Sequence, residues 1–179
     1  MTKLPTFILL GLLFAAPGEV LNQILARHNF RAFRSTMISY AGLLLVGFVV
    51  ANQMSVAWPK PKARLIYYLS FGTLGLLVEW CLLGNAPGLD PLQLITQPGM
   101  FTYWGTMLLA PWLLMEPAFP DLRKSFLRFF VSFTVLYLLV AWVVPREKGG
   151  IFFGFVLFAA GYTTLNCFYW KYFKALRKG

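Results

Sequence analysis

Long apolar stretches, separated by short polar or charged links, alternate along the whole chain. A helix needs about 20 mostly apolar residues to cross the hydrocarbon core of a membrane. Six stretches meet or approach this length, and they predict transmembrane helices over residues 4–26, 37–57, 65–84, 100–115, 126–144 and 151–173. Because these spans fill nearly the whole chain, we expect a single all-α transmembrane domain over residues 1–179, a polytopic helical bundle.

The composition supports an integral membrane protein. Of the 179 residues, 59% are hydrophobic and only 12% are charged, whereas a soluble domain has about 25% charged residues. Such a chain cannot cover a water-facing surface with polar groups. The composition therefore excludes cytosolic enzymes, nucleic-acid binders and disulfide-rich secreted domains.

The positive charge of the chain predicts its orientation. The net charge is +10, and the cations lie at the ends of the apolar stretches, where they meet lipid head groups. If six helices cross the membrane, eleven of the sixteen Lys and Arg residues fall on the side that holds both termini. We therefore expect both termini in the cytoplasm, a multi-pass location in the plasma (inner) membrane, membrane lipids as partners and no nucleic acid.

Two glutamates lie inside apolar stretches, where an ionisable side chain is costly and indicates a function. Glu19 shares a helical face with Gly11 and Ala15, and Glu79 shares one with Gly72 and Gly75. Small residues on such a face allow another helix to approach closely. Both glutamates lie about 20 Å from the cytoplasmic end of their helix, at one depth in the outer half of the bilayer.

Other polar side chains are expected near the same depth. They predict a pocket, open to the outer leaflet, in which Glu19 and Glu79 are the catalytic residues. The expected substrate-binding residues are Asn22, Gln23, Asn85, Tyr103, Thr106 and Trp80.

Three interpretations of the two carboxyl groups remain open. In the first, a protonated glutamate acts as the acid of an enzyme that converts an apolar small molecule, such as a lipid or isoprenoid, while the other carboxylate stabilises a cation. In the second, the protein is a substrate-binding or transport subunit of an uptake system that works with other membrane subunits. In the third, the glutamates only hydrogen-bond between helices and fix their packing.

Three arginines precede the second predicted span, on the side that otherwise has few cations. Arg27, Arg31 and Arg34 have spacings that would place them on one face of a short interfacial helix. They either reach lipid phosphates as ordinary surface residues or form a site for an anionic head group, since the arginine fork fits phosphate and carboxylate.

No pattern in the sequence predicts a metal or an organic cofactor. The HExxH, G-x-S-x-G and phosphate-loop motifs are absent, the chain has one histidine, His28, and its two cysteines have no CxxC spacing. The proline-rich link over residues 85–99 is either a compact external loop or a lid over the pocket.

Overall fold

The computed structural model describes residues 3–81 and 91–177, and within this part the chain forms helices and turns without a strand. The first helix continues as a π-helical segment, Val20–Ala26, and a short 3₁₀ turn, Arg146–Lys148, precedes the last helix. The α-helices are α1 (Lys3–Glu19), α2 (Phe30–Ala57), α3 (Lys60–Cys81), α4 (Pro91–Met115), α5 (Pro120–Val143) and α6 (Gly150–Leu176). The prediction of an all-helical protein is confirmed.

Four of the described helical stretches are long and apolar enough to cross a membrane. They are Lys3–Ala26, Phe30–Ala57, Pro120–Val143 and Gly150–Leu176. The other two helices, α3 and α4, are not among these four. Composition and length therefore assign this protein to a membrane, whereas the count of six spans stays a prediction.

Helix α2 begins seven residues before the predicted start of the second span. Asn29 caps it, because its side-chain oxygen accepts a hydrogen bond of 2.9 Å from the backbone N–H of Ala32. The prediction of a short helix that carries all three arginines is wrong. The chain turns at His28, which has a positive φ of 52°, so Arg27 is separated from Arg31 and Arg34 on α2.

Helix α4 begins nine residues before the predicted start of the fourth span. Residues 91–99, expected to be loop, form its first turns, with Pro91 at a position where a helix tolerates proline. The internal Pro98 is accommodated as well, and its carbonyl accepts a hydrogen bond of 2.8 Å from the hydroxyl of Thr102. The expectation of an external loop over residues 85–99 is thus wrong from residue 91 onward, and residues 85–90 lie outside the described part.

Helix α4 forms the centre of the bundle, in contact with α1, α3 and α6, while α2 and α5 lie outside them. Several of its side chains have no exposed surface, among them Met107, Leu108, Leu109 and Leu113. Close helix contacts form where small residues face α4. Gly75 of α3 faces the indole ring of Trp104, and Gly11 of α1 faces the carbonyl of Met107, whose helical hydrogen-bond donor is missing because Pro111 lacks an N–H.

Contacts at the two ends show that consecutive helices run in opposite directions. At one end, the first residue of α3, Lys60, forms an ion pair with Glu116 after α4. At the other end, the guanidinium of Arg146, after α5, donates to the carbonyls of Leu25 and Ala26. The end that holds Arg146 is also the end at which the two glutamates lie.

Candidate functional site

A cavity of about 510 Å³ lies between four helical elements at the end of the bundle that holds Arg146. This volume is within the range of about 300–1,000 Å³ typical of small-molecule sites. Its walls are Gly18, Glu19, Asn22, Ala26 and Arg27 of α1 and the π-helical segment, Glu79 of α3, Thr96, Gln97, Met100 and Tyr103 of α4, and Phe155, Phe158 and Ala159 of α6. The cavity therefore combines two carboxyl groups with an apolar wall.

The lining residues span a depth of about 10 Å, because each residue of an α-helix adds about 1.5 Å. On α4 the wall runs from Thr96 near the helix start to Tyr103, seven residues further on. Across the π-helical segment it runs inward from the exposed Arg27, which follows the segment, to the buried Glu19 at the end of α1. Arg27 thus lies at the mouth of the cavity and Glu19 at its floor.

The change from α-helix to π-helix occurs directly after Glu19. Pro17 precedes it and has no N–H with which to bond the carbonyl of Leu13. In the π-helical segment the wider turns bring residues four to five apart onto one side, which is how Asn22 and Arg27 both line the cavity. Short π-helical insertions of this kind occur frequently at functional sites.

The carboxyl group of Glu19 is held by two tyrosines. Glu19 has only 6% of its surface exposed, and its Oε1 accepts a hydrogen bond of 2.7 Å from the hydroxyl of Tyr40 on α2. The hydroxyl of Tyr103 lies 3.3 Å from the same oxygen and 3.1 Å from the carbonyl of Ala15. The other oxygen, Oε2, is buried and accepts no hydrogen bond within the described part of the chain.

The carboxyl group of Glu79 is held from the same helix, α4. Its Oε1 accepts a hydrogen bond of 3.2 Å from the indole N–H of Trp104. Glu79 is half-buried, so it is less enclosed than Glu19. Since Tyr103 and Trp104 are consecutive, α4 brings the two carboxyl groups to one level of the bundle.

Some polar side chains deeper in the bundle are paired with one another, whereas others, such as the hydroxyls of Tyr67 and Tyr172, have no hydrogen-bond partner in the described part of the chain. The hydroxyl of Tyr68 donates to Asn166 Oδ1 at 2.5 Å, and the Asn166 amide donates to Thr102 Oγ1 at 2.7 Å. These groups link α3, α4 and α6. Among the described buried side chains that have an atom without such a partner, Glu19 is the one that lines the cavity.

Five of the predicted site residues line this cavity together. They are Glu19, Glu79, Asn22, Tyr103 and Arg27. Arg31 and Arg34 do not line it and are exposed on the first turns of α2. Asn85 lies outside the described residues.

Three further predicted residues lie beside the cavity rather than in its wall. The Gln23 side chain is near the carboxyl group of Glu19. Thr106 faces α6 one turn deeper, where its hydroxyl oxygen accepts a hydrogen bond of 2.8 Å from Tyr169. The indole N–H of Trp80 donates to Gln97 Oε1 at 2.9 Å and so supports a lining residue from behind.

Sequence reasoning missed several residues of the site. Thr96 and Gln97 were assigned to a loop, although they lie on α4 and line the cavity. Tyr40 was not considered, yet a hydroxyl inside a predicted apolar span is the same signal that pointed to Glu19. Phe155 and Phe158 carry no signal of their own, since aromatic residues are common throughout this chain.

Within the described residues, no group of three or more His, Cys, Asp or Glu side chains is placed to hold a metal ion. Comparison of the chain with protein-family models, with curated proteins and with solved structures finds no match. A functional assignment therefore depends on the geometry of the cavity.

Proposed function

We propose that this protein is a six-span, multi-pass protein of the plasma (inner) membrane, with both termini in the cytoplasm. In this proposal α3 and α4 also cross the bilayer. They have 22 and 25 residues, which at 1.5 Å per residue exceeds the hydrocarbon thickness of about 30 Å. Their polar side chains are tolerable because α4 is enclosed by other helices and because α3 directs Glu79 at the cavity.

In this membrane setting, we propose that the cavity binds an apolar small molecule, such as a lipid or isoprenoid, and converts it by acid–base chemistry without a metal or organic cofactor. The geometry of Glu19 carries this proposal. Oε1 accepts a hydrogen bond from Tyr40, and the hydroxyl of Tyr103 lies between Oε1 and the carbonyl of Ala15, so a protonated Glu19 carries its hydrogen on Oε2. Glu19 lines the cavity, although Oε2 itself is buried, so proton transfer to a ligand requires the carboxyl group to rotate towards the cavity.

Glu79 has the complementary role of the base. When Glu19 protonates an alkene, the π electrons form the new C–H bond and leave a carbocation. Glu79 and the rings of Phe155 and Phe158 line the same cavity and would stabilise that charge. Transfer of a proton from a neighbouring carbon to Glu79 restores a double bond, so the net reaction is an isomerisation or cyclisation without oxidation. Loss of that proton from Glu79 and uptake of one by Glu19 then restore both side chains for the next cycle.

Extraction of bound molecules from the purified protein, followed by mass spectrometry, tests this function. Glu19→Gln and Glu79→Gln keep the shape of each side chain but remove its acidic group. Glu147→Gln is the matched control, because Glu147 is exposed in the 3₁₀ turn and does not line the cavity. We expect an apolar molecule in wild type and control, and its unconverted precursor in Glu19→Gln.

Other results of the same experiment would contradict the enzyme proposal. If one bound molecule is chemically unchanged in all four proteins, the cavity captures a ligand, as a transport subunit does. If only bulk phospholipid is present, in equal amounts in all four, the cavity is not a ligand site. The glutamates would then act only in helix packing, and their substitution would change stability alone.

A further inference from the structure

We infer that the ligand of this cavity is amphipathic, with one anionic head group, a phosphate or carboxylate, held by Arg27 at the mouth. This inference rests on the proposed function, in that the apolar part of the molecule extends towards Glu19. It defines the class of substrate as a lipid with an acidic head group rather than a neutral hydrocarbon.

Arg27 is exposed, follows the π-helical segment and lines the cavity. Its guanidinium forms no ion pair or hydrogen bond with another described side chain. Arg146 at the same end of the bundle is different, since it is bound to the carbonyls of Leu25 and Ala26. The guanidinium of Arg27 is therefore available to a ligand, and its planar set of donors matches the oxygens of a phosphate or carboxylate.

The chemistry of the wall changes with depth in a way that orients such a ligand. Along α4 the wall changes from Thr96 and Gln97 near the mouth to Met100 one turn further in, and the floor is polar again at Glu19 and Tyr103. This order suits a polar head at the mouth and an apolar chain that lies beside Met100 and Phe158.

The charges of the cavity favour the same orientation. The positive group lies at the mouth, and the carboxyl group of Glu19 lies about 10 Å deeper, by helix rise. An anionic head group at the floor would lie beside the carboxyl groups of Glu19 and Glu79 and would lose the attraction of Arg27, whereas at the mouth it meets that arginine. The double bond that accepts a proton then lies within the chain, away from the head group.

Binding of three single-chain amphiphiles tests this inference. The probes are dodecyl phosphate, dodecanol and dodecyltrimethylammonium, titrated into the full-length protein in nanodiscs of phosphatidylcholine. Arg31→Gln is the matched control for Arg27→Gln, because Arg31 is a nearby exposed arginine that does not line the cavity. We expect Arg27→Gln to raise the Kd for dodecyl phosphate about tenfold or more, because a charged hydrogen bond is lost. The Kd for dodecanol should stay unchanged.

Three results would overturn the inference. Equal weakening of dodecyl phosphate by Arg27→Gln and Arg31→Gln would show attraction to surface charge in general. Tighter binding of dodecyltrimethylammonium than of dodecyl phosphate would show that the carboxyl groups select a cation. Glycerol phosphate serves as the soluble probe, and competition by it as strong as that by dodecyl phosphate would identify a water-soluble phosphate instead of a lipid.

The same titration separates this inference from the proposed chemistry. Arg27 takes no part in proton transfer, so Glu19→Gln should still bind dodecyl phosphate while it loses turnover. Binding that depends on Arg27, together with no converted molecule in the extraction experiment, would contradict the enzyme but support the head-group site. Conversion that persists in Arg27→Gln with an unchanged KM would contradict the head-group site alone.

Discussion

Glu19 and Glu79 belong to different helices and are bound by two consecutive residues of a third. Tyr103 places its hydroxyl 3.3 Å from Glu19 Oε1, and Trp104 places its indole nitrogen 3.2 Å from Glu79 Oε1. Consecutive residues of a helix point in directions about 100° apart, so α4 reaches α1 on one side and α3 on the other. The position of α4 in the centre of the bundle thereby determines the spacing of the two acids.

Removal of the Tyr40 hydroxyl should destabilise the protein. Tyr40→Phe deletes the 2.7 Å hydrogen bond to the buried Glu19, and we expect the free energy of unfolding to fall by about 1–3 kcal/mol. Tyr137→Phe is the control, because the Tyr137 hydroxyl is buried without a hydrogen-bond partner in the described structure. That change should be nearly neutral. Unfolding in mixed micelles measures the free energy of unfolding of both variants. Equal decreases in the two would contradict a specific role for Tyr40.

A methyl group at Gly99 should disrupt the contact between α4 and α6. A Cβ atom there would lie 2.6 Å from the Cα and 2.7 Å from the carbonyl oxygen of Ala159, and this backbone cannot move aside alone. We expect Gly99→Ala to lower the free energy of unfolding by about 1–3 kcal/mol. The control Gly42→Ala meets nothing within 4 Å and should stabilise α2 slightly. If Gly99→Ala were harmless, the helices would be further apart than described.

Loss of Arg146 should loosen the π-helical segment. Its guanidinium binds the carbonyls of Leu25 and Ala26 and lies 2.6 Å from Nε2 of His28. In Arg146→Gln we expect backbone amides over residues 20–29 to exchange hydrogen about tenfold faster, because charged hydrogen bonds are lost. Lys148→Gln, in the same exposed turn, should leave exchange unchanged. Similar exchange in both variants would show that Arg146 does not hold this segment.

Removal of the buried Arg64 charge should not destabilise the protein. Arg64 is 5% exposed, its guanidinium lies 3.9 Å from the centre of the Trp112 ring, and its Nε and Nη1 have no hydrogen-bond partner in the described part. We expect Arg64→Met to keep or raise the melting temperature, because burial of guanidinium nitrogens without a hydrogen-bond partner is costly. Lys62→Met is the control, because it also removes one positive charge but at an exposed position. A clear decrease for Arg64→Met alone would show that this guanidinium has a bound partner.

Glu19 and Glu79 could be selected from the sequence because an acid in an apolar stretch is conspicuous whatever its neighbours. The stripes of small residues beside them likewise predicted close approach by another helix, and the contacts of Gly11 and Gly75 with α4 confirm it. Residues such as Tyr40 and Gln97 join the same site from α2 and α4. Periodicity along one segment carries no information about which other segment will face it.

The amino-acid sequence alone determined that this protein is helical and suited to a membrane, since both properties follow from local composition and period. Tertiary structure decided that α4 is the central helix, because its internal prolines and polar side chains are tolerated where other helices cover them. It also separated Arg27 from Arg31 and Arg34 through the turn at His28. That turn leaves one arginine at the mouth of the cavity and two on the surface.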